Sequence, residues 1–137
     1  MIEVNNLTKH RVNKEFLKGL AKKVLEGENN PPKARAFGRA RRNAKLWAGK
    51  EFNLSIALVG QSTIKELNKR YRGKNQSTDV LSFQYDGSGE VVICPEAVEK
   101  NARQFKLIYQ KELARVLVHG ILHVLGYNHQ QMKQKNG

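Results

Sequence analysis

The chain contains a single cysteine, Cys94, so no internal disulfide can form, and this usage agrees with a reducing compartment. Acid is scarce as well: 12 Asp and Glu stand against 25 Lys and Arg, a net charge of +13. No apolar run approaches the roughly 20 residues that a membrane-spanning helix needs. The start, Met1 to Asn6, lacks the charged and apolar regions of a secretory signal. We therefore expect a cytoplasmic protein with no membrane partner. On that expectation the N-x-S/T triplets at Asn6, Asn53 and Asn75 carry no glycan.

The positive excess is the informative part of the composition. A domain this basic attracts a polyanion, with an affinity that falls as salt rises and counterions are released. Solubility alone is the competing explanation for the charge. At 137 residues the chain is most simply one domain, 1–137, large enough to bury a core. Within it, an insertion at about 31–50 is the most biased stretch. It carries Lys33, Arg35, Arg39, Arg41, Arg42, Lys45 and Lys50 with no acid from 33 to 50, and Phe37 and Trp47 lie among them. Those aromatics suit stacking on unpaired bases with guanidinium groups on phosphate, or they tack a solvated insertion to the body.

Hydrophobic spacing supplies the elements. Met1 to Val4 is a short first strand. Phe16, Leu17, Leu20 and Val24 recur at helical spacing after Asn13, the expected N-cap, with Gly27 the expected stop. Phe52 to Val59 alternates as a strand. A second amphipathic helix, capped by Ser62, buries Ile64, Leu67 and Tyr71. Asp79 to Tyr85 and Glu90 to Cys94 form a hairpin about the turn Asp86–Gly89. Pro95 opens a helix at its tolerated first position, and Leu107 to Leu125 forms a long helix with Leu113, Val116, Leu117 and Val124 as its apolar stripe. The expected fold class is α/β (α+β): a small mixed β-sheet with packed helices and a metal-binding helix near the C-terminus.

Three of the four histidines lie between residues 119 and 129. His119 and His123 stand at i and i+4, one turn apart on one helix face. Gly126, three residues on, suits a left-handed C′ position that ends the helix and lets His129 return to the same point. Three imidazoles match a catalytic zinc site, in which three protein ligands leave the fourth position for water. Gly120 occupies the place of the glutamate base in H-E-x-x-H metalloproteases, which disfavours peptide hydrolysis. Chemistry at a phosphodiester needs instead a cation beside the metal to offset charge on phosphorus.

Two separated stretches carry a resemblance. Leu67 to Lys74 (LNKRYRGK) followed by Ser77 to Phe83 (STDVLSF), together with His119 to His129 (HGILHVLGYNH), is similar to the YbeY family of bacterial rRNA maturation factors. The resemblance implies a mixed α/β fold and one Zn2+ per chain, held by His119, His123 and His129. It further implies a zinc-dependent hydrolase, a single-strand-preferring endoribonuclease of rRNA maturation, 16S rRNA processing and ribosome quality control. Its substrate would be precursor rRNA rather than DNA, and its partner the small ribosomal subunit or its proteins. Arg72, in the Y-R-G-K stretch, would be a catalytic cation with His119. Taken alone, Arg72 reads as a surface arginine, and Thr78, Asp79 and Ser82 as residues that pin a strand or orient the histidines. This chain departs from the family pattern at Asn128, at Asn75, Gln76 and Ser77, at Gln84 and at Glu90. The alternative is a non-catalytic, basic ribosome- or RNA-binding assembly factor with a structural zinc, which Cys94 would complete as a fourth ligand.

Overall fold

A computed structural model describes residues 1–28 and 52–126. The expected insertion at 31–50, with Phe37 and Trp47, and the third histidine, His129, with Asn128, lie outside the described residues. The elements run in the order β1 (Ile2–Asn6), α1 (Lys14–Glu28), β2 (Asn53–Leu58), α2 (Gln61–Arg72), β3 (Val80–Tyr85), β4 (Ser88–Ile93), α3 (Pro95–Gln104) and α4 (Tyr109–Val124). The strands form one four-stranded sheet in the order β1-β2-β4-β3. β1, β2 and β4 are parallel, and β3 returns antiparallel along β4 to form one edge. The expected mixed α/β class is therefore what the chain adopts.

Alternation along the strands divides the core into two layers. Leu54, Ile56, Leu58, Val91 and Ile93 join a cluster with Leu17 and Ala21 of α1 and with Leu113, Leu117 and Ile121 of α4. Their neighbours Val59, Val92 and Cys94 join Ile64 of α2 and Leu81 of β3 in a second cluster across the sheet. β2 and β4 are thus covered by α1 and α4 on one face and, toward their C-terminal ends, by α2 on the other.

Local chemistry explains most boundaries and corrects several. Asn13 caps α1: the amide of Phe16 donates to Asn13 Oδ1 at 3.0 Å. Gly27 does not stop that helix, which runs through it to Glu28. Ser62 is not the cap of α2. The helix begins at Gln61 behind Gly60, whose extended backbone serves as N-cap. Nor is Tyr71 a core residue. It is 55% exposed, while Asn68, on the adjacent turn, is 4% exposed. The hairpin turn is only Asp86–Gly87, because Gly87 takes the left-handed conformation (φ 75°) and lets β4 start at Ser88. Leu107 and Ile108 precede α4 in an exposed turn.

What sets α4 in place is a pair of glycines. A Cβ on Gly120 would lie 2.6 Å from Val91 Cγ1 and 3.2 Å from Val80 Cγ2, so the helix rests directly on β3 and β4. At its end Val124 fills the space of the missing side chain of Gly89, where a Cβ would meet Val124 Cγ1 at 2.1 Å. Gly89→Ala should accordingly destabilise the protein by about 1–3 kcal/mol through overpacking. Val124→Ala should relieve most of that cost in the double variant, so the two substitutions should be strongly non-additive in urea unfolding. Additive effects would show that the helix is not seated on this glycine.

Candidate functional site

The end of α2, the outer edge of β3 and the last turns of α4 enclose a cleft of about 750 Å³. Asn68, Arg72, Lys74, Thr78, Asp79, Ser82, Gln84 and His123 line it. The structure thus gathers Arg72, Thr78, Asp79, Ser82 and His123, residues that the sequence offers as candidates from three separate elements.

The α2 side is held by its C-cap. Gly73 adopts the left-handed conformation (φ 71°) and its N–H turns back to the last carbonyls of the helix. The amide of Lys74 donates to the carbonyl of Asn68 at 3.3 Å. The buried Asn68 side chain then donates through Nδ2 to the carbonyl of Gln76 at 2.9 Å, which pins the loop to β3. Lys69, Arg70 and Arg72 in the last helical turn complement the negative end of the helix dipole and make this lip of the cleft cationic.

Arg72 is fixed in two ways. Its Cζ lies 5.1 Å from the centroid of the Phe83 ring, and Nη2 donates to the carbonyl of Ser82. That carbonyl is accessible because of the sheet register. The amide of Cys94 donates to the carbonyl of Asp79, which makes those two residues a hydrogen-bonded pair. Alternation then turns the backbone groups of Val80, Ser82 and Gln84 away from β4, toward the open edge. The Ser82 side chain faces α4, where its hydroxyl donates to the carbonyl of Gly120 at 2.9 Å, between the two histidines.

His119 and His123 are both half-buried on α4, one turn apart, and His123 reaches the cleft. Gly126 follows with φ 97°, its N–H on the carbonyl of His123 at 3.0 Å, so the helix ends at a left-handed glycine, as the sequence suggests. Among the described residues no three His, Cys, Asp or Glu side chains come close enough to hold a metal ion. The described part of the expected ligand set is the pair His119 and His123. Their donor chemistry, two imidazoles at helical i, i+4 spacing on a helix ended by a left-handed glycine, fits a divalent transition metal of the zinc type. Cys94 belongs to the cluster on the other face of the sheet and is fully buried. Burial is the main cause that pushes its thiol pKa upward, so it stays a protonated, packed thiol.

Asn68 is the site residue that sequence reading missed. The available signal was a polar residue four positions after Ile64, on the buried stripe of an amphipathic helix.

The fold and site define a mixed α/β protein with a helix-borne histidine pair beside an open sheet edge. The profile of the family described as Endoribonuclease YbeY matches residues 3–137, and the chain belongs to that family. Endoribonuclease YbeY of Thermotoga maritima is 45% identical over 89 residues, which cover 63% of this chain and 59% of that protein. The protein of the same name from Petrotoga mobilis is 35% identical over 135 residues, 96% of this chain and 81% of the relative. A Thermotoga maritima protein solved in solution superimposes with a TM-score of 0.63 at 28% identity, covering 99% of this chain and 85% of that one. The chain spans a little over half the length of the first curated relatives it matches. Among the described residues no helix is long and apolar enough to cross a membrane.

Asn68→Ala removes the buried donor that holds the Gln76 carbonyl, a hydrogen bond worth about 0.5–1.5 kcal/mol net. Amide hydrogen exchange of residues 73–79 should speed up in this variant while α4 keeps its protection. Unchanged exchange in that loop would show that Asn68 does not hold the cleft's lip.

Proposed function

We propose that this chain is a zinc-dependent endoribonuclease that prefers single-stranded segments of precursor rRNA. Its work would lie in 16S rRNA processing and ribosome quality control, with the small ribosomal subunit or its proteins as partner. The observation that carries the reading is the cleft itself, where an anchored guanidinium and a helix-borne histidine stand on either side of one sheet edge. The basic charge of the chain and its family membership support RNA as the substrate.

Each residue has a physical part in this reading. His119 and His123, with His129 as third ligand, would hold one zinc ion, which would supply Lewis-acid chemistry toward a phosphate oxygen or a water. Arg72 presents a planar fork that binds phosphate oxygens and offsets the negative charge gathered on phosphorus in the transition state. Lys74 adds a second positive group on the same lip. Asn68 and Ser82 position, through the loop after α2 and the carbonyl of Gly120. The attacking oxygen is that of a water or of the neighbouring ribose 2′-hydroxyl; as it bonds to phosphorus and loses its proton, the bond to the leaving ribose oxygen breaks and that oxygen takes up a proton.

His119→Ala should lose both bound zinc and cleavage of a precursor rRNA fragment, whereas Arg72→Ala should lose cleavage and keep zinc. Equal nuclease activity in wild type and both variants would assign the activity to a contaminant and end the reading. The binding-factor alternative, in its closed-site form, needs a thiolate ligand, and Cys94 lies across the sheet from α4. Cys94→Ser should therefore retain zinc at wild-type stoichiometry by atomic absorption. Loss of the metal would favour a structural clamp.

A further inference from the structure

β3 presents different chemistry on its two faces. Ser82 points to α4, so Phe83 and Tyr85, offset by one and three residues, point to the α2 side, about 7 Å apart along the strand. α2 covers only part of this face, through Ile64 and Leu67, which pack with Leu81 and Phe83. Beyond Phe83 the sheet carries a depression of about 490 Å³ bordered by Tyr85, Asn53, Ser55, Ser88 and Glu90. The register sets Tyr85 beside Ser88 and Ser88 beside Asn53, and sets Phe83 beside Glu90 and Glu90 beside Ser55. An aromatic wall therefore adjoins hydroxyl, amide and carboxylate groups. Tyr71 completes the wall, its ring edge-on to Phe83 at 5.5 Å, and both Tyr71 and Tyr85 are 55% exposed.

The sign of charge divides the two sides of this wall. Arg72 lies over Phe83 and reaches the cleft edge, with Lys74 on the same lip. The depression beyond holds the carboxylates of Glu3 and Glu90 and, at its border, Met1, whose terminal amine donates to the carbonyl of Phe52. Acid outweighs base there, so phosphate is drawn to the first side in preference to the second. A nucleobase fits the second: its ring stacks on Tyr85, and its exocyclic amine and ring nitrogens meet the acceptors and donors of the row.

We propose that the open part of the α2 face of the sheet, walled by Phe83 and Tyr85 and flanked by Tyr71, is a binding shelf for an unpaired nucleobase of the strand whose phosphate contacts Arg72. The proposal rests on the RNA reading above and adds a base-contacting site to it. A paired base cannot enter, because its face is stacked and its edge is occupied, so the shelf selects unpaired nucleotides.

The test is fluorescence anisotropy of the full chain with a uniformly 2′-O-methylated ten-residue single strand, confirmed intact afterwards, and with the same strand carrying one abasic residue at each position in turn. Stacking on one aromatic is lost about tenfold by truncation. Tyr85→Ala should therefore bind the intact strand about tenfold more weakly with an unchanged salt slope, and Tyr85→Phe should bind as wild type. One abasic position should weaken wild type to the same extent and leave Tyr85→Ala unaffected. Lys74→Ala should instead lower the salt slope by about one. Salt-dependent binding that ignores every abasic position, or Tyr85→Ala binding as wild type, would overturn the shelf and leave the RNA reading standing. Absence of any salt-dependent binding by wild type would overturn both.

Discussion

The close seating of α4 on the β3–β4 hairpin is the contact from which the rest of the site follows. Gly120 and Gly89 remove the side chains that would hold helix and sheet apart, and Val91 and Val124 occupy the space. With the helix that near, the Ser82 hydroxyl reaches the carbonyl of Gly120, one residue after the first histidine and three before the second. The register of the histidines relative to the cleft is therefore set by backbone contact, which tolerates less displacement than contact through flexible side chains. A bulkier residue at position 120 would tilt or lift the helix turn that carries both rings.

β3 distributes its groups so that a single edge strand serves three neighbours. Its alternate side chains go to α4 (Val80, Ser82) and to the α2 layer (Leu81, Phe83), while the outward backbone of Ser82 receives Arg72. Such an edge is an aggregation hazard in most sheets. Here the cationic end of α2 partly covers it, and the covering arginine is the functional candidate. Stability of the edge and placement of charge in the cleft are thus one structural arrangement.

Local signals made much of this legible. The i, i+4 histidines, the left-handed Gly126 and the alternation of Leu54, Ile56 and Leu58 depend on residues within a few positions of one another, and each appears as the sequence suggests. The features that were not legible are contacts between distant segments. Gly120 was readable only as the absence of a glutamate; its steric reason lies far along the chain at Val91. The helical stripe through Ile64 and Leu67 could continue through Asn68 or Tyr71. The loop that follows decides the matter, because it offers Asn68 a carbonyl at Gln76 and leaves Tyr71 against Phe83 at the surface. Gly60 displaced Ser62 as the cap of α2 for a similar reason: β2 ends at Leu58 and the chain turns into the helix at once.

Arg72 shows why the identity of the cation matters and not only its charge. A lysine at this position would carry a flexible stem and a compact ammonium, which lacks the planar fork that stands over Phe83 while bonding the Ser82 carbonyl. The guanidinium does both, which restricts its rotamers. A charge that is already ordered stabilises a developing negative charge without reorganising during the reaction, and that preorganisation makes an electrostatic contribution large. Ser82 links this ordering to the other half of the cleft, because its carbonyl holds Arg72 while its hydroxyl holds the helix turn between His119 and His123. Displacing β3 would therefore disturb the cation and the helix turn that carries the histidines together.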